Sequence, residues 1–381
     1  MVFGGWYGSG NPGDDAILIG LRTLFSKTLP DAEIMVLSTD PEQTRRICSV
    51  EAHLLRSPRD LLFSFPWGGI HRYAKHFRRV DACILSGGTP VYDHDHLSRI
   101  IHCSLPWILR RKLICFGIGV RRIRSIAGRS AIKALLGRSF AISTRDPNSK
   151  RELRAIGINR KINVTGDSAL FLKPQNPPSK ILAQLKPEEN RPLIAISPRV
   201  LSTNYRAHYH ARLLYNDINR IRWKLAEAAD YLSAIGHVVF IPFNRSLTDN
   251  DVAEIVLVRA LMKNPSMVLN DPLSPEELAG LLGKMDLVIG LRLHSLILAA
   301  AQGTPVASID YDPKIRGFME YAGIPEQVCE IQDPTKMLTR CVEEGLQNQG
   351  RLKNRLLRVC ENMKNKIAEE AQYISELLTT Y

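Results

Sequence analysis

Short apolar runs rich in β-branched residues alternate along the chain with segments whose apolar positions recur every three or four residues. The first pattern is typical of buried parallel strands and the second of covering helices, so the sequence predicts an α/β fold. Strands are predicted at 32–37, 82–86, 113–117, 141–144, 163–165, 193–197, 238–242, 267–269, 287–291 and 306–309. Helices are predicted at 14–26, 94–105, 125–136, 148–155, 219–234, 249–262, 275–284, 295–302 and 351–378.

A proline-rich segment divides this alternation into two halves. The run Lys173-Pro174-Gln175-Asn176-Pro177-Pro178 and the polar stretch after it lack a β-branched core, which is typical of a linker. A chain of 381 residues also exceeds the length at which one hydrophobic core keeps growing. We therefore predict two doubly wound, Rossmann-like domains that face a cleft, at 1–175 and 193–345, with a linker at 176–192. The helical pattern within 346–381 is expected to pack back onto the first domain.

The composition is that of an ordinary globular protein, with 45% hydrophobic and 23% charged residues. No apolar run approaches the roughly 18 to 20 residues of a membrane span, and no charged-then-apolar leader is seen. We therefore expect the protein in the cytoplasm, with the inner face of the cell membrane as a further place of action. Seven cysteines form no Cys-x-x-Cys pair, which predicts buried reduced thiols and no metal cage.

The net charge of +13 predicts an anionic partner, for which nucleic acid, an acidic membrane surface and a polyphosphorylated substrate are the candidates. The basic clusters are dispersed, and neither a recognition helix nor an aromatic RNA-binding strand accompanies them, so nucleic acid is not expected. The pattern favours a basic surface that contacts lipid phosphate, that is, a peripheral membrane contact.

A glycine-rich segment, Gly4-Gly5-Trp6-Tyr7-Gly8-Ser9-Gly10-Asn11-Pro12-Gly13-Asp14-Asp15, joins the first strand to the first helix. Glycines let a backbone approach a ligand closely and aim amide groups at an anion. The spacing matches neither the dinucleotide fingerprint nor a P-loop. Two interpretations remain open: a tight strand-to-helix loop, or an acceptor loop in which Asn11, Asp14 and Asp15 contact a sugar.

Other strand ends in the first half carry similar chemistry. Gly87-Gly88 and then Gly117 and Gly119 follow two buried strands, and three such loops on one sheet edge favour a lined cleft over unrelated turns. Arg145 is a candidate contact for a carboxylate or phosphate, because its neighbour Asp146 is not expected to face it. Asp167 is either a sugar-hydroxyl acceptor or only a turn former.

The segment Gly290-Leu291-Arg292-Leu293-His294-Ser295 and the later Lys314 form the strongest candidate site. Both follow predicted strands, and ligands of open α/β sheets bind at the carboxyl ends of strands. In an extended segment, alternation places Arg292 and His294 on one side, and a helix beginning at Ser295 offers amide groups to an anion. The sequence therefore predicts an anion site with a proton carrier.

Taken together, these segments resemble the polysaccharide pyruvyl transferase family over about residues 3 to 330. Its motifs match the glycine-rich opening (with Trp6 for Tyr and Asp15 for Glu), the glycine pair, Arg-Asp, Gly-Asp-x-Ala, and Gly-x-Arg-x-His-Ser with a later Asp-x-Lys. Thr89-Pro90 departs from the usual third glycine, the first strand is short, and no family role is assigned to 203–215.

The resemblance implies a GT-B-like fold and transfer of a pyruvyl group from phosphoenolpyruvate onto two hydroxyls of a sugar as a ketal, in cell-surface polysaccharide synthesis. It implies His294 as acid/base and Lys314, Arg292 and Arg145 as cationic clamps, with Ser295 nearby. The first domain would hold a sugar acceptor, expected to be lipid-linked, and the second would hold phosphoenolpyruvate. This chemistry requires neither a metal nor another cofactor.

Two other functions stay open at this point. A GT-B-like glycosyltransferase using a nucleotide sugar would place an acidic residue, Glu320 or Glu326, on the ribose. A non-enzymatic module that binds anionic polymer would give no turnover for His294 to influence.

Overall fold

The chain forms two compact units in this computed structural model. The structure describes residues 1–5, 7–55, 74–92, 104–185, 191–201, 213–246 and 249–380. Unit 1 comprises Met1–Ser9, Ile17–Phe171 and Met363–Tyr381. Unit 2 comprises Gly10–Ala16 and Leu172–Asn362, so the turn that opens the first helix belongs to the second unit.

Unit 1 contains a seven-stranded parallel sheet in the order β3-β2-β1-β4-β5-β6-β7. Its strands are β1 Val2–Gly4, β2 Met35–Ser38, β3 Glu51–Leu54, β4 Ala82–Leu85, β5 Lys112–Ile118, β6 Ala141–Thr144 and β7 Asn163–Val164. Strand order reverses between β1 and β4, where the register pairs Gly4 with Leu85. In doubly wound sheets this switch point is where the strand ends open a crevice.

The helices of unit 1 cover a core of aliphatic and aromatic side chains. They are the main part of α1 Pro12–Thr28, with α2 Pro41–Cys48, α3 Ile126–Leu136, α4 Pro147–Ala155 and the end of α12 Gln349–Thr380. The ring of Phe25 lies 5.8 Å from that of Phe3 and 5.6 Å from that of Phe116, so α1 packs on the sheet through aromatic contacts. The end of α12 packs on this unit, and its Ser375 hydroxyl donates to Thr28 Oγ1 at 2.9 Å.

Unit 2 repeats the same plan with a six-stranded parallel sheet in the order β10-β9-β8-β11-β12-β13. Its strands are β8 Leu193–Ser197, β9 His237–Phe240, β10 Met267–Val268, β11 Leu287–Gly290, β12 Val306–Asp310 and β13 Val328–Glu330. Its helices are α5 Ser179–Gln184, α6 Tyr215–Ile235, α7 Asp251–Arg259, α8 Pro275–Leu282, α9 Leu293–Ala301, α10 Pro313–Tyr321, α11 Thr335–Gln347 and the first part of α12. The switch point lies between β8 and β11, where Ser197 pairs with Gly290.

Helices in unit 2 begin at capping residues that can be recognised in the sequence. Ser274 caps α8, its hydroxyl accepts the N–H of Glu277 at 3.1 Å, and the Glu277 carboxylate accepts the N–H of Ser274 at 2.9 Å. Pro275 follows at the first helical position, where no N–H is needed. Asp312 caps α10 in the same way, because its carboxylate accepts the N–H of Lys314 at 3.1 Å.

The two doubly wound parallel sheets confirm the predicted α/β class. Strands Ala141–Thr144 and Leu193–Ser197 have the predicted bounds, whereas α2, β3, β13, α10 and α11 were not predicted. The predicted helix at 94–105 falls largely outside the described residues, as do Trp6 and most of 203–215. Among the described residues, no helix is both long and apolar enough to cross a bilayer.

The segment predicted as a linker at 176–192 contains helix α5, and the unit boundary falls earlier, after Phe171. Ile181 and Leu185 are 0% and 6% exposed, so 179–185 packs into unit 2. The prolines at 174, 177 and 178 precede the helix and do not interrupt it. Gln175 is also held in place, since its N–H donates to the Glu276 carbonyl at 2.9 Å.

We predict that Gly280→Ala destabilises unit 2 at this packing contact. A methyl group at Gly280 would lie 1.8 Å from the carbonyl oxygen of Gln175, so α8 or the 173–178 segment must move. The free energy of unfolding should fall by about 1–3 kcal/mol in a denaturant titration. The matched control is Gly350→Ala in α12, where no atom lies within 4 Å and stability should rise by up to about 1 kcal/mol. Equal effects of the two substitutions would contradict the contact.

Candidate active site

Polar side chains cluster where the strands of unit 2 end, on both sides of the switch point. Arg199 follows β8, Arg292 and His294 follow β11, and Lys314 follows β12. All are less than one-tenth exposed except Lys314, whose side chain is 15% exposed. The carboxyl edge of a doubly wound sheet is the general location of ligand sites in this architecture.

The buried carboxylate of Asp251 holds this edge together. Its oxygens accept the backbone N–H groups of Val200 at 3.4 Å, Phe243 at 3.2 Å and Asn244 at 2.8 Å. They also accept Arg292 Nε at 2.9 and 3.1 Å and Arg292 Nη2 at 2.5 Å. Asp251 is 0% exposed, so one carboxylate ties together the exits of β8, β9 and β11.

Arg292 is directed at aspartates within unit 2. Besides Asp251, its guanidinium donates to Asp249 Oδ2 at 2.8 Å and to the Asp249 carbonyl at 3.3 Å. Burial lowers the pKa of Arg292, but the two carboxylates, Asp251 first, raise it above its ordinary value. The group is therefore a permanent cation whose charge is balanced by its neighbours.

His294 lies in the first turn of α9, because that helix begins at Leu293 and not at Ser295 as predicted. The alternation argument that placed Arg292 and His294 on one side of an extended segment therefore does not apply. Arg292 is the N-cap residue, and its side chain turns to the aspartates instead of capping the helix. The Ser295 hydroxyl donates to the Arg292 carbonyl at 2.6 Å, which fixes this turn from inside.

The glycine-rich turn lies directly against His294. A methyl group at Gly13 would lie 2.1 Å from His294 Nδ1, so only glycine leaves the imidazole where it is. This contact joins the two most distant motifs of the sequence within one unit, since Gly10–Ala16 belongs to unit 2. Gly10 adopts the left-handed region at φ 77° and faces Ser246.

Asn11 organises the start of α1 beside that contact. Its side chain accepts the N–H of Gly13 at 3.2 Å and donates to Asp14 Oδ2 at 2.7 Å. Its carbonyl accepts the N–H of Asp14 at 3.0 Å and of Asp15 at 3.3 Å. Asp14 and Asp15 are 7% and 3% exposed, so the three residues form a compact polar turn.

Arg199 and Tyr311 form a second layer next to Arg292. The Tyr311 hydroxyl donates to the Leu291 carbonyl at 2.5 Å and accepts Arg199 Nη1 at 3.4 Å. Burial raises the pKa of Tyr311, and the Arg199 charge only partly opposes this, so the phenol stays protonated. Arg199 Nη2 lies 4.0 Å from Asp249 Oδ2, a long ion-pair contact.

Lys314 stands at the start of α10, the helix that follows β12. Its ammonium lies 3.8 Å from Asp312 Oδ2, and the Asp312 side chain is 0% exposed. Asp310, at the end of β12, pairs instead with Arg316. The Lys314 side chain is thus more exposed than those of Arg199 and Arg292.

The remaining candidates lie at the carboxyl edge of the sheet in unit 1. Arg145 is 6% exposed, and its Nη1 lies 3.5 Å from Asp167 Oδ2. Its Nε lies 3.4 Å from Asp146 Oδ2, so the expectation that these neighbours do not face each other was wrong. Arg145 Nη2 also donates to Thr89 Oγ1 at 3.3 Å. Arg145 and Asp167, predicted as separate contacts, are partners.

The glycine loops of unit 1 allow this close packing. Gly87 and Gly88 have φ values of 88° and 58°, which favour glycine. A methyl group at Gly119 would lie 2.6 Å from Arg145 Nη2 and 2.7 Å from the Gly88 carbonyl oxygen. The loops after β4, β5 and β6 therefore meet at one place, as the strand-end argument predicts.

Sequence reasoning did not identify four residues of the unit 2 cluster, namely Arg199, Asp249, Asp251 and Tyr311. Arg199 was detectable, because Ser197-Pro198-Arg199 ends a strand in the same way as the other motifs. Asp249 and Asp251 were assigned to a predicted helix at 249–262, which instead begins at Asp251. Among the described residues, no group of three or more His, Cys, Asp or Glu side chains is arranged to hold a metal ion.

Solved structures share this architecture along nearly the whole chain. A glycosyltransferase from Rickettsia africae has a TM-score of 0.64 at 13% identity and covers 99% of this chain and 98% of its own. HepE from Anabaena, in complex with UDP-glucose, has a TM-score of 0.65 at 12% identity, covering 100% and 99%. A UDP-GlcNAc 2-epimerase from Neisseria meningitidis has a TM-score of 0.58 at 14% identity, covering 100% of both chains. At these identities the likeness shows a GT-B-like fold alone.

Sequence comparison identifies the family. The amylovoran biosynthesis protein AmsJ of Erwinia amylovora is 39% identical over 70 residues, which is 18% of this chain and 17% of that protein. The model of the polysaccharide pyruvyl transferase family matches residues 11–313, from the Asn11 turn to the start of α10. Because this match covers most of the chain, the protein belongs to the polysaccharide pyruvyl transferase family.

Proposed function

We propose that the protein transfers a pyruvyl group from phosphoenolpyruvate to a sugar as a ketal, in the synthesis of a cell-surface polysaccharide. The observation that carries this proposal is the contact of the Gly13 turn with His294, inside a family match that spans both. This contact places the glycine turn beside His294, and cationic side chains lie at the neighbouring strand ends. The relative AmsJ, named for amylovoran biosynthesis, supports a polysaccharide product.

The reaction needs two additions at one carbon. A first sugar hydroxyl attacks C2 of phosphoenolpyruvate while the methylene carbon C3 gains a proton and becomes a methyl group. A second hydroxyl then attacks C2, phosphate leaves with the C2–O bond electrons, and the second hydroxyl's proton ends on phosphate or solvent. The sum is one ketal and one phosphate. No metal, redox step or nucleotide is needed to balance it.

His294 is proposed as the acid/base that serves these proton transfers. Imidazole takes up and releases protons near neutral pH, so it suits a step that protonates carbon as a hydroxyl is deprotonated. Its placement in the first turn of α9 and against Gly13 fixes the ring before substrate arrives. Preorganisation of this kind lowers the cost of reaching the reactive geometry.

Arg199 and Lys314 are proposed to bind the phosphate and carboxylate of phosphoenolpyruvate, with the amide groups at the start of α9. Their ion-pair distances to Asp249 and Asp312, 4.0 and 3.8 Å, are long compared with the 2.8 Å contact of Arg292 with Asp249. We assign Arg292 a positioning role, because its donors already bind aspartates.

Within unit 2, Asn11, Asp14 and Asp15 beside His294 are proposed to contact sugar hydroxyls. Within unit 1, the glycine pair and the Arg145–Asp167 pair are proposed to do the same. Carboxylate and amide groups are suitable partners for sugar hydroxyls. A lipid-linked oligosaccharide is the acceptor we propose, since such a substrate would account for a basic surface that contacts lipid phosphate. Ser295, which donates to the Arg292 carbonyl, shapes the turn.

The second candidate is a glycosyltransferase that uses a nucleotide sugar. The observation in its favour is the fold shared with HepE, whose structure contains UDP-glucose. In that case an acidic residue would bind the ribose. Of the two candidates, Glu320 is exposed on α10 and Glu326 accepts Arg355 Nη1 at 3.0 Å.

The deciding experiment measures phosphate release from phosphoenolpyruvate with a panel of methyl glycosides and oligosaccharides that carry 4,6- or vicinal diols. Wild-type protein should release phosphate only with an acceptor, and the product should gain a pyruvyl group by mass spectrometry. His294→Ala should lower kcat by about 10²- to 10⁴-fold, because proton transfer loses its catalyst. Unchanged release in this variant would refute the assignment, and turnover only with a nucleotide sugar would select the second candidate.

A second prediction concerns Gly13→Ala. The added methyl group would lie 2.1 Å from His294 Nδ1 and must displace the imidazole. A displacement of about 1 Å should lower kcat by about 100-fold with little change in the far-UV circular dichroism. Gly350→Ala, which meets no atom within 4 Å, is the control and should keep wild-type kcat. Wild-type turnover by Gly13→Ala would separate the glycine turn from catalysis.

A third prediction separates positioning from binding. Asp251→Asn leaves Arg292 with one carboxylate fewer in a buried site, so the free energy of unfolding should fall by about 3–5 kcal/mol. Lys314→Ala should change stability by less than about 1 kcal/mol but raise the KM for phosphoenolpyruvate tenfold or more. A stability loss for Lys314→Ala without a KM change would make Lys314 structural. If Asp251→Asn left the unfolding midpoint unchanged, the buried pair of Asp251 with Arg292 would not stabilise the fold as proposed.

A further inference from the structure

The opposite, amino-terminal edge of the sheet in unit 1 carries cations at four adjacent strands. The residues that precede β4 to β7 include Arg78 and Arg79, Arg110 and Arg111, Arg138, and Arg160 and Lys161. We call this set the basic edge. Carboxylates close to it include Glu51, which interacts electrostatically with Arg79, and Glu370, which interacts with Lys161. Asp81, just before β4, and Glu376, near the end of α12, are exposed. The basic edge therefore keeps a large positive excess.

The sequence around β5 and β6 is rich in cations, of which Arg121, Arg122, Arg124 and Arg145 follow the strands and are not part of the basic edge. The stretch from Ser104 to Arg145 contains no Asp or Glu, although it carries Arg110, Arg111, Lys112, Arg121, Arg122, Arg124, Arg129, Lys133, Arg138 and Arg145. Two cations of the basic edge are anchored through backbone carbonyls. Arg111 donates to the Arg78 carbonyl at 2.8 Å, and Arg160 donates to the Phe140 carbonyl at 3.0 Å. These bonds tie the loops before neighbouring strands into one surface.

Large apolar side chains stand exposed on the same surface. Trp107 and Ile108, just before β5, are 53% and 63% exposed. The guanidinium carbon of Arg138 lies 4.7 Å from the centre of the Trp107 ring, which joins the apolar and basic parts. Beside them, Lys133, Arg138 and Arg160 line an open groove of about 510 Å³.

We propose that the basic edge, with Trp107 and Ile108, docks onto an anionic phospholipid bilayer. Tryptophan favours the headgroup region, and an exposed isoleucine gains free energy when it leaves water for the acyl boundary. The surrounding cations complement lipid phosphates. A nucleic acid or anionic polysaccharide would complement the charge but would leave Ile108 without a reason for its exposure. The docking needs neither phosphoenolpyruvate nor acceptor, so it stands apart from the proposed reaction.

The test is co-sedimentation of the full chain with vesicles, without phosphoenolpyruvate or acceptor. Wild-type protein should sediment with phosphatidylcholine vesicles that contain 30 mol% phosphatidylglycerol, and raising NaCl from 0.1 to 0.5 M should release it. It should not sediment with pure phosphatidylcholine. Arg110→Gln with Arg138→Gln should weaken binding about 25-fold, at about fivefold per cation removed. Trp107→Ala with Ile108→Ser should weaken it at least tenfold.

The matched control removes an exposed tryptophan and a lysine elsewhere, Trp223→Ala with Lys336→Gln, and should bind within twofold of wild type. If a variant no longer shows the circular dichroism spectrum of the folded protein, the double variant Arg78→Gln with Arg79→Gln is tested in its place. Equal binding by basic-edge and control variants would overturn the proposal. The proposal would also be overturned if the wild-type protein bound heparin or duplex RNA but not vesicles, and if the basic-edge variants abolished that binding.

Discussion

The buried ion pair of Asp251 with Arg292 is the constraint on which the candidate site depends. A carboxylate that is 0% exposed costs several kcal/mol to desolvate, and it is tolerated here because three backbone N–H groups and one guanidinium bind it. Those donors come from the ends of three strands. Removing any one of them would leave a charge without enough partners, so the strand ends are held in one arrangement.

That arrangement indirectly fixes His294, the residue proposed as acid/base. The Arg292 side chain binds the aspartates, and the Arg292 backbone begins α9. The Ser295 hydroxyl donates to the Arg292 carbonyl and stabilises the first turn of that helix. His294 is then presented from a helix instead of a flexible loop. The absence of a side chain at Gly13 completes the pocket around the imidazole. Each of these features is weak alone, and together they leave His294 little freedom.

The fold was largely predictable from the sequence, and the site only in part. Strand ends and glycine turns depend on local patterns, which is why the edges carrying Arg145 and His294 were found. Side-chain partners depend on the tertiary fold. No local sequence pattern indicates that Arg292 pairs with Asp251, 41 positions away, or that Gly13 contacts His294. The same limit explains the error at Arg145 and Asp146, where the N-cap role of Asp146 turns its carboxylate back toward its neighbour.

The two edges of the sheet in unit 1 would set a length for the lipid-linked acceptor proposed above. The longest strand, β5, has seven residues and separates the basic edge from the glycine loops by about 23 Å at 3.3 Å per residue. With a bilayer at the basic edge, a sugar attached directly to a lipid phosphate would stay short of Gly88 and Arg145. An acceptor that reached them would carry a spacer of further sugars, so the strand length would act as a ruler that selects extended oligosaccharides over newly primed carriers.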